Sequence, residues 1–224
     1  MQASKLTQKR NTSTMMEETF ISSKPCPKEE SIDLTKITLR PFQLSDIDDI
    51  MVWSTDEKVA KFCSWEPYTS KDDAINFIES IETKFLRCKA ICHNDRTIGC
   101  MLLFASSLDD NSRNKSAELG YNLGSKYWGK GIATCAGKQI VQDAFSQMPH
   151  LERLEALVDV ENVGSQRVLE KAGFQKKGVL RKYLFGERKK QRYDHVQYSF
   201  YKIVQYKCIE HSLKLKPILM YYSF

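Results

Sequence analysis

"SAELGYNLGSKYWGKGIATCAGKQI", residues 116–140, is the stretch on which the fold turns. Alternation over 116–123 predicts a strand with Glu118, Gly120 and Asn122 on one face and Leu119, Tyr121 and Leu123 on the other. From Gly131 the spacing predicts a helix over 131–148, with Ile140, Val141, Ala144 and Phe145 on one face. At such a junction the first helical turn presents unpaired amides and the positive end of the helix dipole. Gly129 and Gly131 let the backbone approach an oxygen without a Cβ in the way, and Ala133 and Thr134 are small enough to continue that approach. A phosphate or pyrophosphate suits such a place. The two common nucleotide signatures fit poorly. Gly-Lys-Gly is not the Gly-Lys-Ser/Thr of a P-loop, and Thr134 stands where the third glycine of a dinucleotide loop belongs. A tight strand-to-helix turn without a ligand stays open.

The rest of the chain arranges itself around this junction. Residues 1–35 are polar, aperiodic and carry Pro25 and Pro27, which predicts a tail. "KITLRPF" (36–42) opens the domain as a strand. An acid-rich helix follows over "DIDDIMVW", and a second helix begins at Ser70 with Asp73 three residues on. "CSWEPYTS" (63–70) contains the loop between them. "KAICHN", "TIGCMLLFAS" and "SAELGYNL" read as three strands, with polar turns between. After the helix from Gly131 come a strand in "LERLEALVDV", a short helix in "GSQRVLEKAGF" closed by Gly173, and a hairpin with arms "KKGVLRKYLF" and "DHVQYSFYKI". Seven strands and four helices in that order predict a mixed α/β (α+β) sheet. The expected domain is 36–203, followed by an extension over 204–224 with an apolar set around Leu213, Leu215, Ile218 and Leu219.

With 224 residues and 42% hydrophobic content, the chain builds a core of ordinary size. No run approaches the roughly 18 apolar residues that span a bilayer. The start lacks the apolar region of a secretory signal. Its Ser/Thr content and early lysines faintly resemble a transit peptide, against which stand Glu17 and Glu18. The expectation is a cytoplasmic or nuclear protein, with an organelle left open. Seven cysteines make no Cys-x-x-Cys pair, and Cys88, Cys92 and His93 lack a second ligand pair at zinc spacing, so no metal is expected. The net charge of +6 is local: residues 176–192 hold eight Lys/Arg against Glu187 alone. A general polyanion surface spreads its charge further, which disfavours nucleic acid as the partner.

A second element, "VENVGSQRVLEKAGF" (160–174), gives the junction its context. Together with "WGKGIA" and the element order, it resembles the GNAT superfamily of acetyl-CoA-dependent N-acyltransferases over about residues 36–203. The family's pyrophosphate loop, Arg/Gln-x-x-Gly-x-Gly/Ala, corresponds to Trp128, Gly129, Lys130, Gly131, Ile132 and Ala133. Its later element, Asn-x-x-Ser/Ala and then a helix ending in Gly-Phe, corresponds to Asn162, Ser165, Gly173 and Phe174. The branch that acetylates ribosomal-protein N-termini is the most similar.

The resemblance implies a mostly antiparallel sheet, acetyl-CoA as co-substrate, and transfer of its acetyl group to a primary amine. The acceptor is left open among a protein N-terminus, a lysine and a small amine, and the state between monomer and homodimer. It implies that residues 128–134, with Leu123, Asn162 and Ser165, hold the coenzyme, and that amides near Leu123 and Gly124 polarise the carbonyl. Glu118 is implied as general base, Ser165 as hydrogen-bond donor to the leaving sulfur, and Trp65, Tyr68 and Tyr183 as acceptor-side residues. Trp65 and Tyr68 equally suit a core, Glu118 a solvated strand, and Ser165 the cap of the helix after Gly164. Tyr183 is also an alternative donor to the sulfur. Asp194 and His195 are discounted as a pair, because neighbours on a strand point to opposite faces.

Two positions depart from the family pattern. Trp128 replaces Arg/Gln, so a loop hydrogen bond is expected to be lost or replaced by packing. Leu169 stands where many members carry the tyrosine that protonates the thiolate, which keeps a non-catalytic acyl-CoA-binding module as an alternative.

A base matters most for lysine: at pH 7.4 an amine of pKa about 10.4 is neutral about one time in a thousand, whereas an α-amine near 7.8 is often neutral.

Overall fold

Each predicted strand and helix forms, in the predicted order. The computed structural model describes residues 32–105, 115–186 and 190–202. The tail up to residue 31, the turn at 106–114, the hairpin tip at 187–189, the C-terminal extension, Cys26 and Cys208 lie outside the described residues. The elements are β1 (Ile37–Arg40), α1 (Ile47–Ser54), α2 (Glu57–Ala60), α3 (Lys71–Glu79), α4 (Ile81–Lys84), β2 (Arg87–His93), β3 (Arg96–Ala105), β4 (Ser116–Leu123), α5 (Ile132–Gln147), β5 (Arg153–Asp159), α6 (Val163–Ala172), β6 (Gln175–Gly186) and β7 (Gln191–Tyr201). The single-turn helices α2 and α4 were not foreseen; they flank the loop and helix predicted between Ser64 and Ile81.

The sheet runs β1-β2-β3-β4-β5-β7-β6. Every neighbouring pair is antiparallel except β4 and β5, whose connection through α5 permits parallel pairing. Pleating divides the apolar residues of β2–β5 between two layers. On one face Met101, Leu103, Leu119 and Leu123 join Ile132, Ala136 and Ile140 of α5 and Leu169 of α6 in the larger core. On the other, Cys100 and Leu102 pack with Ile50 and Trp53 of α1 and Ala74 of α3. Glu118, Gly120 and Asn122 lie directly opposite Phe104, Leu102 and Cys100, so they share this second face.

Local signals set the boundaries. Ser70 and Asp73 close the capping box that starts α3. Gly173 ends α6 at φ +101°, a left-handed cap that brings Phe174 into the core. At the mouth of α1, Asp46 is 3% exposed and accepts both arms of the Arg40 guanidinium at 2.7 Å. Burial pushes its carboxyl up, but Arg40 and the Gln43 amide outweigh that and hold it below the usual range. Cys88, Cys92 and Cys100 are free, buried residues of β2 and β3. Burial pushes the Cys88 thiol up to about 12, so these cysteines act as core.

Candidate active site

The parallel ladder between β4 and β5 has three pairs, Ser116 with Arg153, Ala117 with Leu154 and Glu118 with Glu155. Past that point β4 continues along β3 to Leu123, and β5 continues along β7 to Asp159. The two strands therefore part from each other while staying in the sheet on their outer edges. A V-shaped opening results, with its vertex at Glu118 and Glu155. Gly124 donates its amide to the Ile98 carbonyl at 2.9 Å, on the β3 side. Antiparallel alternation then turns the N–H and C=O groups of Leu123 and Tyr121 toward the opening. Of the two amides expected to polarise a carbonyl, Gly124's is thus taken up within the sheet, and Leu123's faces the right way.

At the mouth of the V the chain passes through a 3₁₀ turn, Ser125–Tyr127, into the glycine loop. Gly129 and Gly131 adopt φ of +75° and +79°, the left-handed region that glycine enters at no steric cost. No side chain caps α5 at Gly131, so the first amides of the helix are not taken by a capping side chain. This is the backbone geometry that the expected anion cradle over residues 129–134 requires. Trp128 differs from expectation: its indole Nε1 donates to the Leu123 carbonyl at 2.7 Å. The loop keeps a side-chain hydrogen bond because an indole N–H replaces the missing guanidinium or amide donor.

Glu118 is half-buried at the vertex. Burial pushes its carboxyl up, and the carboxylate of Glu155 pushes it further. Glu155, itself buried, lies 3.3 Å from the Arg153 guanidinium. A carboxyl raised in this way is a stronger base than an exposed one. Glu155 was missed by sequence reasoning. It is 37 positions away and meets Glu118 only through the parallel register.

Ser165 lies across the V, on the opposite face of the sheet. Helix α6 is capped by Asn162, whose Oδ1 accepts the Ser165 amide at 3.0 Å. The cap expected at Ser165 falls instead at Asn162, three residues earlier, and Asn caps as well as Ser. The Ser165 hydroxyl is thereby left for other partners. It sits 2.6 Å from the Tyr121 hydroxyl, which also lies 3.0 Å from the Ser165 carbonyl. Burial pushes the Tyr121 phenol well above its ordinary value, with partial relief from Ser165. Leu169 is 1% exposed and belongs to the core, so its position contributes packing.

Trp53, Trp65 and Tyr68 form an aromatic group on the α1 face, with ring centroids 6.4 and 5.4 Å apart. Trp65 and Tyr68 are half-buried against the smaller core, on the sheet face that Glu118 shares. Tyr183 lies elsewhere. It is 36% exposed on β6, the outer edge strand, separated from β5 by β7. Asp194 accepts the Lys182 amide and His195 contacts the Tyr193 carbonyl, so each has its own partner. The described basic residues of the hairpin, Lys176, Lys177, Arg181, Lys182, Lys190 and Arg192, are all exposed. Among the described residues no group of three or more His, Cys, Asp or Glu gathers as for a metal, and no helix is long and apolar enough to cross a membrane.

A glycine loop at the mouth of the V, with a raised carboxyl on one face and a hydroxyl pair on the other, is an arrangement suited to group transfer from a phosphate-bearing donor. Residues 36–175 match the family model described as an acetyltransferase (GNAT) domain. The uncharacterized N-acetyltransferase p20 of Bacillus licheniformis is 32% identical over 160 residues, which are 69% of this chain and 87% of that one. The chain belongs to the GNAT acetyltransferase family. Its fold is shared by the spermidine N-acetyltransferase of Vibrio cholerae solved with CoA and spermine (TM-score 0.61, 21% identity, 75% of this chain and 96% of that one). It is shared equally by the ribosomal L7/L12 alpha-N-protein acetyltransferase RimL solved with coenzyme A (TM-score 0.64, 18% identity, 77% and 98%).

Proposed function

We propose that this chain moves an acetyl group from acetyl-CoA to a primary amine by direct attack within a ternary complex. The observation that carries the reading is the V between β4 and β5, which opens toward the glycine loop and closes at Glu118. The loop holds the coenzyme's pyrophosphate on amides of residues 129–134, with Leu123 and Asn162 along the arm. The Leu123 amide faces the thioester oxygen and stabilises the charge that develops there. The amine approaches from the α1 face, past Trp65 and Tyr68, and Glu118 takes its proton. The carbon–nitrogen bond forms, the carbon–sulfur bond breaks with its electron pair on sulfur, and Ser165 donates a hydrogen bond to the departing thiolate. Base and donor thus act from opposite faces of the sheet, which places nucleophile and leaving group on different sides of the carbonyl. The amine acceptor draws support from the relatives, whose names specify a polyamine in one case and a protein α-amine in the other.

The test is acetylation of a panel of amines, comprising peptide α-amines, a lysine peptide with a blocked terminus and spermidine, followed by mass spectrometry. The expected result is an acetylated product from the unsubstituted chain that falls sharply with Glu118→Gln while acetyl-CoA binding is kept. A folded chain that binds acetyl-CoA and leaves every amine unmodified would instead establish a non-catalytic acyl-CoA-binding module.

A further inference from the structure

With Leu169 committed to the core, the leaving sulfur has no tyrosine from the usual place in α6. A tyrosine nevertheless arrives from β4. Tyr121 lies on the strand face opposite Glu118, beyond the last paired residue of the β4–β5 ladder, and reaches α6 over the opening. We propose that Tyr121 is a positioning residue for the leaving-group step: its hydroxyl orients the Ser165 hydroxyl so that the serine proton points at the departing sulfur. The inference rests on Ser165 being the donor to that sulfur.

The geometry allows two proton arrangements. In the first, Tyr121 donates to the Ser165 carbonyl at 3.0 Å and Ser165 donates to the Tyr121 oxygen at 2.6 Å. In the second, Tyr121 donates to Ser165 Oγ and the serine proton is released toward the cleft. The arriving sulfur selects the second arrangement, because only there does the serine proton point to it while Tyr121 still has an acceptor, and the change requires only rotation of two hydroxyls. The Ser165 backbone is already fixed by the Asn162 cap, so little else moves. Burial disfavours the phenolate, which keeps Tyr121 a donor throughout the working pH range. The step balances without a proton from Tyr121: the amine's proton goes to Glu118, Ser165 stabilises the thiolate, and water protonates the sulfur afterwards.

The test uses hydroxylamine as a small nucleophile that is uncharged at neutral pH, so that the general base is not limiting. Release of the coenzyme thiol from acetyl-CoA is followed colorimetrically. Tyr121→Phe keeps the ring and should lower kcat about tenfold, the effect of one misdirected hydrogen bond, with KM for acetyl-CoA changed less than about twofold. Ser165→Ala should lower kcat by at least as much, and the double variant should be no slower than Ser165→Ala alone. A Tyr121→Phe loss that adds fully to that of Ser165→Ala, appears only in KM, or is absent overturns the inference and leaves the Ser165 role standing. Full kcat in Ser165→Ala overturns the Ser165 role and the inference with it. No thiol release above buffer from the unsubstituted chain overturns the catalytic reading itself.

Discussion

Replacing Gly129 by alanine separates what the chain requires from what its guest requires. Gly129 lies at φ +75°, where an L residue carries a penalty of about 1–2 kcal/mol. A Cβ built there meets nothing within 4 Å, whereas one on Gly131 comes 3.4 Å from Leu34 Cδ1. The cost of Gly129→Ala to the empty protein is therefore backbone strain alone. For a domain of this size about 1–2 kcal/mol lowers Tm by about 2–8 °C. The added methyl projects into the open space proposed for the pyrophosphate, so acetyl-CoA affinity should fall by at least about tenfold. Thermal melts and calorimetric titration of one preparation give both numbers. A lowered Tm with an unchanged Kd would refute the placement of the pyrophosphate over Gly129. An unchanged Tm would refute the strain argument.

Two further outcomes follow from buried charges. Burial and then Glu155 raise the Glu118 pKa, so the wild-type side chain contributes most to stability at acid pH and loses that contribution as pH rises through its raised value. Glu118→Gln should accordingly raise Tm at pH 7–8, with the gain vanishing as pH falls into the ordinary carboxylate range; a gain that grows toward acid would contradict the sign. Arg40→Ala strands the Asp46 carboxylate, which is 3% exposed. Because Arg40 is partly exposed, the loss in urea denaturation should fall somewhat below the roughly 3–5 kcal/mol of a fully buried pair, and no measurable loss would contradict a structural role for the pair.

Much of this was legible in the chain because the deciding signals are local. The period-2 pattern of 116–123 placed Glu118 and Tyr121 on opposite faces, and the glycines at 129 and 131 announced the loop whose backbone they permit. What escaped were contacts between elements far apart in sequence. Glu155 faces Glu118 only because β4 and β5 pair in parallel at one register. Tyr121 meets Ser165, 44 positions away, only because β4 and β5 diverge beneath α6. The indole N–H of Trp128 was treated as packing because nothing in the sequence showed that the Leu123 carbonyl would turn toward it. Asn162 and Ser165, three residues apart, are both good caps, and only the backbone decides which of them starts α6.

The central claim is that the glycine loop holds the pyrophosphate of acetyl-CoA, and calorimetric titration of acetyl-CoA into the full chain tests it most directly, with Gly131→Asp in parallel. Aspartate there adds a negative charge and forces an L residue to φ +79°. Saturable one-to-one binding in the micromolar range, about −8 kcal/mol, is expected, and it should disappear in Gly131→Asp while the fold persists by circular dichroism. Absence of binding by the folded, unsubstituted chain, or equal binding by both, would contradict it.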